Sequence, residues 1–290
     1  MRIFEPHIHM ASRVTDDYEH MARAGIVAVC EPAFWQGQPR THVGTFIDYF
    51  DLLLGFEPYR ASQYGIRHFC TIALNPKEAN DERVNEGVID VLPRYLEKDG
   101  VVAVGEVGFD DRTATEERFF RIQIELATKH DLPLLVHLPH RDKVKGLERT
   151  LAILREMNVP PGRALVDHNT EETVPLLAGS GHYVGFSIYP DTKMTEERVG
   201  AIFERYGTER MIVNSAADWG RSDPLKVPKT VEHLRGRGFS EDDLSRLVWR
   251  NPVEFFSQSG RLAARELERP LVIDRGPYEG NSLLRGGQTW

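Results

Sequence analysis

The sequence predicts a single α/β domain that folds as a (β/α)8 barrel, the TIM barrel. Three observations support this fold class: eight short apolar runs, helical segments between most of them, and no glycine-rich phosphate-binding turn after the first run. Continuous apolar runs are typical of parallel strands that helices cover on both faces. Eight strand–helix units in 290 residues therefore fit a closed barrel better than an open doubly wound sheet.

The eight apolar runs are the predicted strands. In chain order they are RIFEPHIH (2–9), IVAVCEP (26–32), RHFCTIAL (67–74), VVAVGEV (101–107), LPLLVHL (132–138), RALVDH (163–168), HYVGFSI (182–188) and RMIVNS (210–215). Helical spacing of apolar residues predicts helices between most of them, for example over 115–131, 143–158 and 195–207.

Two segments extend the simple barrel pattern. The segment 33–64 is too long for a turn and one helix, and we expect an elaborated loop over the barrel mouth. An inserted helical hairpin and a substrate gate both explain its aromatic residues, which are Phe34, Trp35, Phe46, Tyr49, Phe50, Phe56 and Tyr59. The barrel is predicted over 1–262. Residues 263–290 form a tail of unknown role, for which a wrapped segment and a disordered one are both open.

Composition restricts the class of partner. The net charge is −8 with a pI near 5.8, which argues against extended binding along a nucleic-acid duplex. Cys30 and Cys70 lie in apolar runs, and we expect buried thiols, without a disulfide. Neither a secretory signal pattern nor an apolar run of roughly 20 residues is present, so we expect a soluble, cytoplasmic protein with no membrane partner. The sequence leaves homo-oligomer formation open.

Candidate metal ligands fall at matching places in the predicted units. His7 and His9 alternate along the first strand and point to the same side of it. Four further candidates stand at or just after the ends of strands four, five, six and eight. Because barrel enzymes build their active sites at the carboxyl ends of the strands, all six should converge. The six candidates are His7, His9, Glu106, His137, His168 and Asp218.

The donor types indicate a catalytic site for divalent cations. Imidazole and carboxylate ligands suit zinc, manganese, iron or nickel, while magnesium prefers the carboxylates. The lack of thiolates argues against a closed structural zinc site. Six donors are enough for one ion, or for two ions if one carboxylate bridges them. Glu106 is the natural bridging ligand, because its strand lies opposite the first strand.

Five motifs resemble the TatD family of metal-dependent hydrolases, which belongs to the amidohydrolase-type barrel superfamily. They are PHIHM (6–10), GEVGFD (105–110), FFRIQIELATKHDLPLLVH (119–137), VDHN (166–169) and NPVEFF (251–256). The resemblance covers approximately residues 1–260. It implies that one ion is held by His7, His9 and Asp218, that the other is held by His137 and His168, and that Glu106 contacts both.

The sequence departs from the family pattern after the last strand. The family usually shows an ETDxP-like box there, whereas this chain reads NSAADWGRSDP (214–224). Asp218 and Asp223 therefore compete for the role of the metal ligand and acid/base. Spacing favours Asp218, which follows the predicted strand more closely.

A second departure follows the fifth strand. The family often reads HxRxA, whereas this chain reads HLPHRDK (137–143). We expect His140, Arg141 or Lys143 to bind a phosphate or carboxylate group of the substrate, and Trp35 to line its pocket. The alternative is that Arg141 and Lys143 begin a solvated helix face.

The expected activity is hydrolysis by a water whose pKa the cations lower. Asp218 would accept the proton of this water and pass it to the leaving group. The resemblance implies a phosphoester substrate, either a small molecule or a nucleic-acid end. A lactone, amide or carboxylic ester is the alternative substrate, and a metal-binding pathway component without catalysis is a third interpretation.

Overall fold

The structure is a computed structural model that describes residues 1–189 and 191–274. Eight parallel strands pair in chain order, each with the next. The strands are β1 (Ile3–Glu5), β2 (Ile26–Pro32), β3 (Arg67–Ile72), β4 (Val101–Gly108), β5 (Leu134–His137), β6 (Ala164–Asp167), β7 (Tyr183–Ser187) and β8 (Met211–Asn214). With helices between the strands, the chain is a (β/α)8 barrel, and the predicted fold class is confirmed.

The barrel closes just beyond the ends of its first and last strands. The N–H of His9 donates to the carbonyl of Ala217 at 2.8 Å, and the N–H of Ala216 donates to the carbonyl of His7 at 2.8 Å. These two bonds hold the segments that follow β1 and β8 side by side, and they lie at the carboxyl ends of the strands, where a barrel carries its active site.

Thirteen α-helices occur in the described residues. They are α1 (Thr15–Arg23), α2 (Val43–Leu54), α3 (Phe56–Ser62), α4 (Pro76–Ala79), α5 (Asn85–Leu96), α6 (Ala114–Lys129), α7 (Lys143–Glu156), α8 (Val174–Leu177), α9 (Glu196–Tyr206), α10 (Lys226–Gly236), α11 (Glu241–Ser245), α12 (Asn251–Ser257) and α13 (Ala264–Leu267). The helices predicted over 115–131, 143–158 and 195–207 correspond to α6, α7 and α9. Short 3-10 turns at Met10–Ser12 and Pro161–Arg163 and a π-helical turn at Arg246–Arg250 complete the set.

The first strand is shorter than predicted. It ends at Glu5, and Pro6, which has no backbone N–H to donate, follows it. The Glu5 carboxylate instead accepts the N–H of His7 at 3.2 Å. His7 and His9 therefore lie in the segment after β1, and strand alternation is not what aligns them.

The segment 33–64 is largely helical, which corrects the expected loop. Helices α2 and α3 form an inserted pair whose aromatic residues are mostly buried, including Phe46 and Phe50. The guanidinium of Arg40 lies over the ring of Phe46 at 4.7 Å and over that of Tyr49 at 4.4 Å. Helices thus occupy most of residues 43–62, in place of the expected loop, while residues 33–42 remain a loop beside the barrel mouth.

The barrel interior is apolar below the site. Strand residues such as Phe4, Leu135 and Ile212 pack with Phe255 and Phe256 of α12. Cys30 and Cys70 are buried free thiols, as predicted. Within 1–189 and 191–274, no helix is both long and apolar enough to cross a membrane.

The described start of the tail lies along the barrel. After α13, the carbonyl of Arg269 accepts a hydrogen bond from Arg67 at 2.9 Å, and that of Asp274 accepts one from Gln63 at 3.0 Å. The prediction of a tail of unknown role over 263–290 falls mostly on residues 275–290, which lie outside the described residues.

Candidate metal centre

Five of the six predicted ligands surround one cavity of about 520 Å³ at the carboxyl end of the barrel, and the sixth, Asp218, lies on its wall. Glu106 belongs to β4 and His137 ends β5, whereas His168 directly follows β6. His7 and His9 reach the cavity from the segment after β1. Residues that are far apart in sequence are thus gathered by the strand ends, as the fold requires.

Glu106 is the centre of the cluster. Its Oε1 lies 3.2 Å from Nε2 of His168, 3.3 Å from Nδ1 of His137 and 3.5 Å from Nε2 of His7. Its Oε2 accepts a hydrogen bond from the amide of Asn75 at 3.1 Å. His7, Glu106 and His168 each bring one ligand atom within 4.8 Å of the other two. One carboxylate therefore touches three imidazoles, which is the arrangement that a bridging ligand needs.

The hydrogen bonds of His7 and His9 fix which ring nitrogen is free. Nδ1 of His7 lies 2.6 Å from a carboxylate oxygen of Asp167, and Nδ1 of His9 lies 3.2 Å from the carbonyl of Pro32. In their neutral forms both rings therefore carry the hydrogen on Nδ1. Their two Nε2 atoms, 3.1 Å apart, then face each other with lone pairs. A cation between them removes this repulsion, so the pair fits a metal ion.

The protonation states also fit a metal site. Burial lowers the pKa of His9 and of His168 well below the usual range, and neighbouring positive groups add to the effect. Burial alone would raise the pKa of Glu106, but His7 and the hydrogen bonds from His137 and His168 outweigh it and hold that pKa well below its usual range. Neutral imidazoles and an ionised carboxylate are the forms that bind divalent cations.

Asp167 orients the site from behind. It is fully buried and accepts hydrogen bonds from Nδ1 of His7, from the amide of Asn214 at 2.9 and 3.1 Å, and from the N–H of His168 at 2.7 Å. Although burial alone would raise the pKa of Asp167, His168 and His7 hold it below the usual range. A carboxylate behind a metal-binding histidine fixes its tautomer and its orientation.

Gly185 on β7 makes room for the Asp167 carboxylate. A Cβ atom at position 185 would lie 2.2 Å from Oδ1 of Asp167 and 2.8 Å from its Cγ. Real Cβ atoms do not approach other atoms so closely. The absence of a side chain at Gly185 is therefore a condition for the Asp167–His7 contact.

Asp218 lies on the wall of the cavity, outside the group of His7, Glu106 and His168. Its Oδ1 accepts hydrogen bonds from the hydroxyl of Tyr189 at 2.9 Å and from the N–H of Gly220 at 2.7 Å. The competing Asp223 does not line the cavity. It accepts the N–H of Leu225 at 2.9 Å and forms a salt bridge with Lys229 at 2.5 Å. The geometry thus favours Asp218 over Asp223.

Three of the four predicted substrate contacts line the same cavity: Trp35, His140 and Lys143. Arg141 does not. Its side chain is 87% exposed and pairs with Asp111 at 3.2 Å. The interpretation of a solvated helix face therefore suits Arg141, whereas Lys143, two residues later, turns inward.

Comparison with known proteins places the chain in a family. A sequence model described as TatD related DNase matches residues 51–257. The chain belongs to the TatD-related DNase family. The resemblance predicted from its motifs is thereby confirmed, and the chain is a metal-dependent hydrolase. His7 and His9 precede the matched range, so their assignment depends on the geometry described above.

Individual relatives agree with this placement. An uncharacterized metal-dependent hydrolase of Methanocaldococcus jannaschii is 27% identical over 254 residues, which are 88% of this chain and 99% of the relative. A putative deoxyribonuclease of Danio rerio is 23% identical over 212 residues, 66% of this chain and 76% of the relative. The crystal structure of a TatD-like protein of Archaeoglobus fulgidus has a TM-score of 0.69 and 27% identity, and covers 83% of this chain and 95% of that one.

Several cavity residues of this TatD protein were missed from the sequence. They include Asn75, Lys77, Tyr189, Lys193 and Trp219. Asn75 lies three residues after the end of β3, so the rule that identified the histidines also points to it. Lys193 lies six residues after β7 ends, too far for that rule. Asp167 is the last residue of β6, and a strand-end position alone does not distinguish a carboxylate that supports a histidine from a metal ligand.

Proposed function

We propose that the protein hydrolyses phosphoester bonds, with His7, His9, Glu106, His137, His168 and Asp218 as the ligands of one or two divalent cations. The observation that carries the proposal is the charge of the cavity around these ligands. Lys143 and Lys193 both line it, and neither forms a salt bridge within the described part of the chain. The ammonium of Lys193 lies 3.3 Å from Nδ1 of His168. Cations that have no salt-bridge partner beside a metal site suit an anionic substrate.

The bound cations would supply Lewis acidity and make a water molecule easier to deprotonate. The protein supplies the rest. Lys143 and Lys193 would hold non-bridging oxygens of the phosphoester, and His140, which also lines the cavity, would stand beside them. Asn75 keeps the Glu106 carboxylate in place through its hydrogen bond to Oε2.

Asp218 is the proposed acid/base group. Burial and the bond to Asp218 raise the pKa of Tyr189 to about 12, so its hydroxyl stays a donor to Oδ1. The bonds from Tyr189 and Gly220 fix the carboxylate and direct proton transfer to the other oxygen. Asp218 would accept a proton from the attacking water and return it to the leaving oxygen as the P–O bond breaks.

The aromatic side of the cavity keeps a second candidate open. Phe34 stacks on the ring of His9 with centroids 3.7 Å apart, and Trp35 packs edge-on against Trp219 at 5.6 Å. This apolar wall suits the acyl part of a lactone or another carboxylic ester. Lys143 and Lys193, which line the same cavity, favour the phosphoester.

A substrate panel tests the proposal. Metal content is measured first, and the protein is then assayed with manganese or zinc on chromogenic phosphodiester, phosphomonoester, lactone and carboxylic ester substrates. We expect turnover of phosphoesters. Turnover of lactones or esters alone would select the second candidate, and tight metal binding without any turnover would favour a binding protein.

A further inference from the structure

A side cleft adjoins the metal cavity at the segments that follow β2 and β3. It has a volume of about 690 Å³ and is lined by residues of 35–40 and 77–84. Trp35 and Lys77 line both the side cleft and the metal cavity, so these two side chains form the boundary between the two spaces. A ligand that is bound at the metal centre can therefore extend past Trp35 into the side cleft.

The charged residues of the side cleft largely neutralise one another. Arg40 forms a salt bridge with Glu78 at 2.7 Å, and Arg83 forms one with Asp81. Glu82, which also lines the cleft, is exposed to solvent. The two arginines of the cleft therefore offer an anionic ligand little net attraction.

Arg40 has further partners besides Glu78. Its guanidinium donates hydrogen bonds to the carbonyl of Phe34 at 3.0 Å and to the side-chain oxygen of Gln36 at 3.2 Å. Arg40 is also buried. Its donors thus serve the loop after β2, and they are not free to bind a ligand.

The ammonium of Lys77 belongs to the metal cavity. It lies 3.3 Å from a carboxylate oxygen of Asp110 and 5.1 Å from the centre of the Trp35 ring. Asp110 lines the metal cavity and not the side cleft, so this ion pair draws the charge of Lys77 toward the metal centre. The positive charge at the boundary consequently faces the anionic end of a substrate.

Apolar side chains complete the lining of the side cleft. Trp35, Pro39 and Val84 contribute to its walls. An uncharged apolar group gains free energy when it leaves water for such a cleft. A charged group would instead give up its hydration for a lining whose arginines are already paired.

We propose that the side cleft binds an uncharged apolar group of the substrate, so that the protein acts on phosphoesters whose organic group is apolar. The phosphate lies at the metal centre, and the apolar group extends past Trp35. This inference rests on the proposed phosphoester hydrolysis and deepens it by naming the substrate class.

A series of phosphonates tests the inference by binding alone, because the protein has no P–O ester bond to cleave in them. Calorimetry on the metal-loaded protein measures Kd for methylphosphonate and for phosphonates that carry a phenyl ring on one, two or three methylene groups. We expect at least one phenyl compound to bind about tenfold more tightly than methylphosphonate, which corresponds to about 1.4 kcal/mol. Equal Kd values throughout the series would overturn the proposal.

A charged counterpart locates the ring. It is the tightest phenyl compound with a carboxylate added to the ring, and it should bind severalfold more weakly than its parent. Gln38 is exposed and lines the side cleft but not the metal cavity. Gln38→Lys should strengthen binding of the carboxylated compound severalfold and Gln38→Glu should weaken it, while the parent compound changes little. A carboxylated compound that responds to neither substitution would contradict the assignment.

The tryptophans provide a matched pair of variants. Trp35→Leu should weaken binding of the phenyl compound severalfold, and Trp35→Phe, which keeps an aromatic ring, should weaken it less. Trp219→Leu is the control, because Trp219 lines the metal cavity but not the side cleft. Circular dichroism confirms that each variant is folded. A larger loss in Trp219→Leu than in Trp35→Leu would place the ring in the metal cavity and overturn the proposal.

The outcomes separate this inference from the proposed function. If the phenyl phosphonates bind more tightly and Trp35→Leu weakens them, the apolar subsite is supported even when no phosphoester is hydrolysed, and only the hydrolytic activity is refuted. Hydrolysis of phosphoesters without any preference among the phosphonates would refute only the apolar subsite. Failure of every phosphonate to bind the metal-loaded protein would overturn the subsite and the anionic substrate together.

Discussion

Replacing Asp167 by asparagine should weaken metal binding although Asp167 is not itself a proposed ligand. The carboxylate accepts hydrogen bonds on both oxygens: Oδ2 from His7 and Asn214, Oδ1 from Asn214 and the N–H of His168. An amide has only one oxygen to accept with. When that oxygen accepts the hydrogen bonds from the N–H of His168 and from Asn214, the NH2 group of the new asparagine points at Nδ1 of His7. Nδ1 must then accept a hydrogen bond from this NH2 group and cannot carry a hydrogen itself.

This arrangement moves the His7 hydrogen to Nε2, the nitrogen that faces Glu106 at 3.5 Å. The nitrogen would no longer have a lone pair for a metal ion, because an amide in place of an orienting carboxylate stabilises the wrong tautomer. Loss of such supporting contacts typically costs 10–100-fold in metal affinity, which corresponds to about 1.4–2.8 kcal/mol.

The assay is calorimetric titration of zinc or manganese into chelator-treated protein, with circular dichroism to confirm the fold. Asp223→Asn is the matched control, because Asp223 lies outside the cavity and pairs with Lys229. Asp167→Ala, which leaves His7 free to adopt either tautomer, should bind metal better than Asp167→Asn if it folds. Unchanged affinity in a folded Asp167→Asn protein would refute the tautomer argument.

Four further outcomes are expected. Glu106→Gln should lose most of the second metal equivalent in elemental analysis; two retained equivalents would exclude a bridging role. Asp218→Asn should lower kcat by roughly 10²–10⁴-fold and Asp223→Asn only slightly, and the reverse order would reassign the acid/base. The kcat/KM for an anionic ester should fall as pH rises through about 8, where Lys143 loses its proton, and Lys143→Gln should lack this fall. Burial raises the pKa of Glu31 to about 8, so its contribution to stability is present below its unfolded pKa and is lost as pH rises through 8. Urea unfolding of Glu31→Gln should therefore show a free energy of unfolding that falls less between pH 6 and 8, by up to about 1.4 kcal/mol per pH unit, and parallel pH curves would contradict the buried-acid assignment.

The strand pattern was predictable because buried parallel strands are continuously apolar, and their ends then placed Glu106, His137 and His168. His7 and His9 line the cavity, but not for the reason that the predicted strand implies. Their convergence depends on backbone bonds to the segment after β8, which strand alternation does not describe.

Long-loop residues were beyond the reach of the strand rule. Lys193 and Trp219 enter the cavity from loops whose course depends on tertiary contacts, and no local pattern marks them. Tertiary contacts also explain why the side chains of Arg141 and Lys143 point in opposite directions. These contacts position the start of α7, and the start of α7 sets the direction of both side chains. The length of the segment 33–64 predicts an elaborated loop and leaves a substrate gate and packed helices as alternative roles for its aromatic residues; most of these residues lie on α2 and α3.

The steric requirement at Gly185 has a consequence for how the site tolerates mutation. A comprehensive substitution scan would find position 185 as intolerant as the histidines, although its residue has no side chain and touches no ion. The methyl group of an alanine at position 185 would displace Asp167, and the displaced Asp167 would in turn displace His7. The substitution would therefore impair the metal site although residue 185 does not contact it. In a related protein, the residue at the position of Gly185 therefore indicates whether that protein keeps a buried carboxylate at the position of Asp167, next to the histidine that corresponds to His7.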